Sequence, residues 1–370
     1  MLQELLLLTI LIPIGVISLY TGVYKLLSHR VRKRNKKDIY PTLSLIIALY
    51  NEEKVLKLKI TNTINIDYPK DKIEIIFLND RSTDKSLEII KKEAPKLPYN
   101  WRIINNLGGK GKPGALNYIL PKLKKEIVII TDADSLIERD AIIKLVQNFQ
   151  DKEIGGVNGR ISVTKPSENQ REYKKEKEYR NFFDIWRIGE SKIHSITICN
   201  GPLMAFRRSL IKNAQLTTKS GCSADDTELA LYVIKKGFRV IYDPMAIVYE
   251  ITPTDPQERR KQKMRRAFGI IHSYLRNLDL FLIPKFNINF FFSFFIMIIS
   301  PILVVFNLVT YLTLIFYHPS YIFLLGVFFI PKFGPILREF YSTQLLISVS
   351  PALSKGWVTA QSSRGELSKK

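Results

Sequence analysis

Three stretches of the chain are apolar for longer than a soluble core element needs, and between two of them apolar runs alternate with amphipathic ones. Leu5 to Tyr24 carries no charged side chain. About 20 apolar residues at 1.5 Å each span the ~30 Å hydrocarbon core of a bilayer. A second uncharged run, Ile288 to Tyr317, exceeds a simple span and predicts tilt or a kink at Pro301. A third, Ser320 to Leu337, is interrupted by Lys332 and reads either as a crossing or as a re-entrant or interfacial segment. Leu43–Leu49 is almost continuously apolar, as a strand buried on both faces should be. Glu52–Ile66 follows as a helix, Ile73–Leu78 as a strand, Asp84–Lys92 and Lys112–Leu123 as helices, Ile127–Thr131 as a strand and Glu138–Phe149 as a helix. The βαβαβ alternation predicts an α/β fold with a mixed, mostly parallel sheet and helices on both faces. Ligands of such sheets bind beyond the carboxyl ends of the strands, where several of these runs end in acids.

Charge fixes the orientation. Lys25, Arg30, Arg32, Lys33, Arg34, Lys36 and Lys37 follow the first apolar run with no acid among them. A cleaved signal peptide carries its positive charge before the apolar run, so this pattern predicts an uncleaved anchor with the following chain in the cytoplasm. If the later runs both cross, the C-terminus returns to the same side, beside Lys332, Arg338, Lys369 and Lys370. The expected organisation is an anchor at 1–28, a cytoplasmic catalytic domain at 39–255, a basic gating or interfacial segment at 256–287, transmembrane helices at 288–340 and an interfacial tail at 341–370. That makes a multi-pass protein of the cell membrane.

The 370 residues include 56 Lys and Arg against 34 Asp and Glu, a net charge of +22. The excess concentrates near the membrane boundaries and suits anionic headgroups and a phosphate-rich ligand. No DNA- or RNA-binding motif is present, so nucleic acid is not expected as a partner. Two cysteines exclude a disulfide scaffold or a four-cysteine zinc site. Gln170–Ile193 is a long helix of mixed charge (Lys174 to Glu178, Arg180) followed by Phe182, Phe183 and Trp186. It reads as an exposed salt-bridged helix, or as one lining an acceptor or the bilayer interface.

Five clusters carry candidate chemistry. Asp80 follows the second strand, where it could accept from a base or ribose or cap the next helix, although Ser82 or Thr83 could fill the cap instead. Asp132 and Asp134 follow the third strand. Two carboxylates so spaced repel unless neutralised, and hard divalent cations take carboxylate together with phosphate oxygens; loop acids opening the next helix are the alternative. Asp225 and Asp226 open a helix, as a general base or as first-turn acids favoured by the helix dipole. The basic run Arg259 to Arg266 could clamp a diphosphate or bind headgroups. Gly108 to Gly114, with Lys112, looks like a phosphate loop without the Walker spacing, or like a plain surface loop.

Seven pieces in order resemble the membrane-bound family 2 glycosyltransferases, the group containing cellulose, chitin, hyaluronan and poly-N-acetylglucosamine synthases. Leu49-Tyr50-Asn51-Glu52-Glu53 is similar to the opening strand and loop. Asn79 to Asp84 resembles Asp-Asp-x-Ser-x-Asp, and Lys110 to Asn117 resembles Gly-Lys-Ala-Gly-Ala-Leu-Asn. Asp132-Ala133-Asp134 matches the metal motif, and Asn200 to Arg208 the acceptor-side segment. Asp225-Asp226 stands where Glu-Asp is expected, and Gln262-Lys263-Met264-Arg265-Arg266 where Gln-x-x-Arg-Trp is expected. The resemblance covers roughly residues 40 to 275. It implies a GT-A-like, Rossmann-related domain that transfers a sugar from a UDP-sugar with inversion, using Mg2+ or Mn2+. It places Glu52 and Asp80 on the nucleoside, Lys112 near the nucleotide, and Asp132 and Asp134 on nucleotide and metal. Asp226 would be the base with Asp225 beside it, and Gln262, Arg265 and the neighbouring Arg266 would hold the diphosphate. The acceptor would be lipid-linked or a growing glycan; a homo-oligomer is compatible with all of this.

Two departures stand out. Thr-Glu-Asp is Ala224-Asp225-Asp226, and the aromatic residue of Gln-x-x-Arg-Trp is Arg266. In polymer-forming relatives that Trp serves the acceptor sugar, so its replacement by a charge favours limited transfer over processive synthesis. The alternatives are a processive polysaccharide synthase and, from another class, a nucleotide-binding or export subunit without transferase activity. A closing loop that excludes water is expected at Ile251–Gln262, which holds Pro253 and Pro256.

Overall fold

The computed structural model describes residues 2–29, 38–163, 170–218, 224–250, 256–323 and 341–349. Its centre is an eight-stranded sheet in the order β3-β2-β1-β4-β7-β6-β8-β5. The strands are β1 (Leu43–Leu49), β2 (Ile73–Asn79), β3 (Asn100–Asn105), β4 (Ile127–Asp132), β5 (Ser135–Ile137), β6 (Ile154–Val163), β7 (Met204–Arg207) and β8 (Arg239–Glu250). β7 and β5 run against the other six strands, so the sheet is mixed and mostly parallel, as expected.

The alternation within β1 explains the layering. Leu43, Leu45, Ile47 and Leu49 pack into one core with Leu56, Ile60, Ile90 and Ile142, while Ile46 faces a second core with Leu116, Leu229 and Tyr274. Helices therefore cover both faces. Truncating a side chain such as Ile46 or Ile129, both fully buried, to alanine costs about 2–5 kcal/mol.

Several boundaries differ from the sequence expectation for identifiable reasons. The helix after β1 runs from Leu56 to Ile64, and the residues before it stay in a turn tied to the loop after β2. Glu52 N donates to Ser86 Oγ (2.9 Å) and Glu53 N to Asp84 Oδ2 (3.0 Å). Glu138–Phe149 contracts to Ala141–Val146, followed by a 3-10 turn at Gln147–Gln150. Strands β3 and β5–β8 have no counterpart in the sequence expectation.

Among the described residues two helices are long and apolar enough to cross a membrane, Leu2–Ser28 and Phe286–Tyr317. The second is continuous but holds a π-helical turn at Phe295–Ile299, just before Pro301. A proline has no N–H for the helical ladder, and the wider turn absorbs the mismatch without a break. Asn307 Nδ2 donates to Leu6 O (3.0 Å) and to Thr9 Oγ1 (2.9 Å), satisfying a polar group between two apolar helices. Toward its C-terminal end the first helix packs Tyr20 and Tyr24 against Trp186 and Phe292. Most of the third apolar run, the start of the expected gate (251–255) and the tail beyond 349 lie outside the described residues.

Candidate active site

The carboxyl edge of the parallel strands gathers most of the predicted site. After β1 the chain turns at Asn51, which has a left-handed φ of 54°, and after β2 at Arg81, with φ 62°. The two turns are stitched together: Asn51 N donates to Ser82 Oγ (3.0 Å) and Thr83 N to Asn51 Oδ1 (2.8 Å). Glu52 is buried at the start of this loop.

Asp80 does not cap the helix that follows β2, Ser86–Glu93. It accepts from Asn106 Nδ2 on Oδ1 and from Gly111 N on Oδ2, both at 2.7 Å, and so anchors the glycine loop after β3. Gly111 sits at φ 84°, and a Cβ on Gly114 would lie 2.0 Å from the Gly109 carbonyl oxygen. The glycines are therefore required by a tight fold of the loop. The helix it opens, Gly111–Ile119, places Lys112 in its first turn.

Lys112 Nζ donates to Asp132 Oδ1 at 2.6 Å and lies 3.6 Å from Asp225 Oδ2. Burial works to lower the Lys112 pKa, but the carboxylates of Asp132, Asp225 and Asp226 together raise it, so it stays charged. Gly201, leading into β7, sits over the same cluster. A Cβ there would be 3.1 Å from Lys112 Nζ, 3.4 Å from Asp132 Oδ2 and 3.5 Å from Asp226 Oδ2.

Asp225 and Asp226 occupy the first turn of the helix Asp225–Lys235. Asp226 Oδ1 accepts from Thr227 N (2.7 Å). Burial and then the charge of Asp225 lift the Asp226 carboxyl to about 6, against the opposing pull of Lys112. Asp225 Oδ2 is buried and accepts no hydrogen bond.

Arg265 and Gln262 lie half-buried on the helix Pro256–Leu275. Burial and neighbouring Arg266 lower the Arg265 pKa, while Asp225, Asp132 and Asp226 oppose that shift, so Arg265 lies within electrostatic reach of the acidic cluster. Arg266 also acts on Asp226, lowering its pKa, while its Nη2 donates to Glu250 Oε1 at 3.0 Å.

Lys59 was not anticipated. It is fully buried, and its ammonium donates to Thr131 Oγ1 (2.9 Å) and to Ser135 O (2.6 Å), on either side of the Asp132–Asp134 turn. Burial lowers its pKa to about 7, although Asp132 and Asp134 pull the other way. Its residue type suggests a surface lysine, but the helical period puts it on the face of Leu56, Ile60 and Thr63, and that spacing is the signal for its burial.

Among the described residues no three His, Cys, Asp or Glu side chains gather as a closed metal cage. The chain offers two hard carboxylates, Asp132 and Asp134, at an edge that also holds a cation. That donor set fits a hard divalent ion that takes one or two carboxylates and completes its shell with phosphate oxygens and water.

The chain superposes over 96% of its length on a mannosyltransferase from Pyrobaculum calidifontis solved with GDP-Man and Mn2+, with a TM-score of 0.80, 22% identity and 100% of that chain covered. The fold is that of a GT-A-like glycosyltransferase. The family model described as "Glycosyltransferase like family 2" matches residues 41–269, and the chain belongs to that family. The probable glycosyltransferase YdaM of Bacillus subtilis is 28% identical over 260 residues, covering 67% of this chain and 60% of YdaM. The beta-monoglucosyldiacylglycerol synthase of Nostoc sp. is 35% identical over 132 residues, covering 35% of this chain and 28% of that enzyme. The chain thus spans 60% or less of the length of these curated relatives.

Proposed function

We propose that this protein is an integral-membrane, inverting glycosyltransferase that moves a sugar from a UDP-sugar to a lipid-linked or growing glycan acceptor. The observation that carries this is the convergence of Lys112 Nζ, Asp132 Oδ2 and Asp226 Oδ2 within 3.5 Å of one point above Gly201. A cation for phosphate, a metal-competent carboxylate and a base of raised pKa meet at the sheet edge where ligands of such folds bind.

Asp226 takes the proton from an acceptor hydroxyl. That oxygen attacks the anomeric carbon as the bond from this carbon to the β-phosphate oxygen breaks, and UDP leaves with the bonding pair. One base without a protein nucleophile makes a single displacement with inversion. Lys112, Gln262 and Arg265 hold the diphosphate, and burial followed by the charge of Asp225 raises the basicity of Asp226. Glu52 and Asp80 hold the nucleoside side, Asp80 by fixing the glycine loop. Mg2+ or Mn2+ on Asp134 and Asp132 would neutralise charge on the leaving diphosphate.

Two apolar helices and the basic stretch after the first support anchoring with the catalytic domain in the cytoplasm. The name of the Nostoc relative, a diacylglycerol glycolipid synthase, supports a lipid acceptor. Arg266, in the place of an aromatic sugar platform, supports limited transfer. The test is nucleoside diphosphate release by detergent-purified protein with Mn2+ or Mg2+, over a panel of UDP-sugars and GDP-mannose, with a membrane lipid extract as acceptor. Metal-dependent release of UDP from one donor, lost in Asp226→Asn while UDP binding persists, is the expected result. Equal release by wild type and Asp226→Asn would refute the base assignment.

A further inference from the structure

Glu250, the last residue of β8, is buried at 7% exposure and carries two guanidiniums. Arg180 Nη2 lies 2.8 Å from its Oε2, and Arg266 Nη2 lies 3.0 Å from its Oε1. Arg180 belongs to the helix Gln170–Ile193 and Arg266 to the helix Pro256–Leu275, so one carboxylate joins three elements. Burial alone would raise the Glu250 pKa, but Arg266 and Arg180 together hold it down at about 2.

The position of this ion triple matters more than its strength. Glu250 pairs in the sheet with Ser135, the residue after Asp134. Arg266 is the residue after Arg265. The contact therefore fastens the helix bearing Gln262 and Arg265 to the strand pair that leaves the Asp132–Asp134 turn. Successive residues on a helix point about 100° apart, so fixing Arg266 on Glu250 fixes the direction of Arg265. A rotation of the helix by one residue would exchange the two. Repulsion adds to the need for such a restraint: Arg260, Lys261, Lys263, Arg265 and Arg266 crowd one helix, and Arg266 itself lowers the pKa of Arg265. Buried ion triples contribute little net stability against apolar replacements of like shape, and geometric specificity is their best-attested use.

We propose that Glu250 and Arg266 form a latch that sets the rotation of the helix Pro256–Leu275 and so aims Arg265 at the leaving diphosphate. Arg266 is on this account a positioning residue that acts through Glu250 rather than a nucleotide ligand. The inference rests on the role of Arg265 proposed above.

The experiment uses the full chain in detergent and reads UDP affinity by calorimetry, donor kcat and KM, and melting temperature. The variants are Arg265→Gln, Arg266→Gln, Arg266→Lys and Glu250→Gln, with the Glu250→Gln/Arg266→Gln and Arg265→Gln/Arg266→Gln doubles. Arg266→Gln and Glu250→Gln should each weaken UDP binding about tenfold and lower kcat, and their double should be no worse than either alone. Adding Arg266→Gln to Arg265→Gln should cost no further affinity, and Arg266→Lys should keep most of it. Losses that multiply between Arg265→Gln and Arg266→Gln, with Glu250→Gln binding UDP like wild type, would make Arg266 a direct ligand and overturn the latch. Should Glu250→Gln fail to fold, the Arg265/Arg266 double and Arg266→Lys still decide the matter, because Arg266 is half-exposed at 46% and tolerates replacement. Absence of UDP binding by wild type is a separate outcome: it removes the role of Arg265, and the latch with it.

Discussion

Lys112 Nζ stands 2.6 Å from Asp132 Oδ1 and 3.6 Å from Asp225 Oδ2, joining the metal-competent turn after β4 to the acids that open the helix Asp225–Lys235. The two acidic clusters are far apart in sequence, and without the ammonium their charges would push these elements apart. Lys112→Gln is expected to lower the melting temperature, by a loss of about 1–3 kcal/mol for carboxylates left short of a charged partner. It should also lower donor kcat/KM by about 100-fold or more. Paired melts and initial rates check both; unchanged kcat/KM would show that Lys112 is structural only.

Asp226 must be deprotonated to act as a base, and its carboxyl is raised to about 6, first by burial and then by Asp225. The rate should therefore climb with pH through about 6 and level off above it. Asp225→Asn removes a charge that raises Asp226, so its acidic limb should move to lower pH. Rate–pH profiles of the two proteins are the measurement, and coincident limbs would separate Asp225 from the titration.

Gly201 has no side chain where three functional atoms converge. Gly201→Ala would put a methyl group 3.1 Å from Lys112 Nζ and 3.4 Å from Asp132 Oδ2. Its φ is not left-handed, so the backbone tolerates alanine, and the melting temperature should stay within a few degrees of wild type. Activity should nonetheless fall by about tenfold or more, because small displacements of a reacting constellation are costly. Full activity in Gly201→Ala would place the reacting atoms elsewhere.

Lys59 tests the cost of a buried cation beneath the carboxylate turn. Its folded pKa is lowered to about 7, first by burial. An unfolded lysine titrates near about 10.4. Between those values the unfolded chain holds a proton that the folded chain has released, so this group adds stability as pH rises. Wild type should gain stability relative to Lys59→Met from about pH 7 to about pH 9. Melts of both proteins across that range check the sign; a constant difference would mean that Lys59 stays fully charged when folded.

Much of this was written in local pattern. The apolar runs of β1, β2 and β4 announce strands because central parallel strands are buried on both faces. The acids that follow them mark the edge where ligands bind, and seven short motifs in order identify the family. β3 escapes because it lies at the sheet's edge, where Asn100, Arg102 and Asn105 break the apolar run. β6 escapes because Gly155, Gly156 and Gly159 weaken its local propensity. Only packing accounts for them: a Cβ on Gly155 would fall 2.6 Å from Leu210 Cδ1, and one on Gly156 2.7 Å from the Phe206 ring.

Residue types and their order along the chain thus determined the family, the strands at the heart of the sheet and the list of charged groups at its edge. Tertiary structure decided which charges meet. It drew Lys112 between two acidic clusters, sank Lys59 beneath one of them and turned Arg266 onto Glu250. A charge acts over a few ångströms through space, and sequence distance carries no information about which opposite charge will be there.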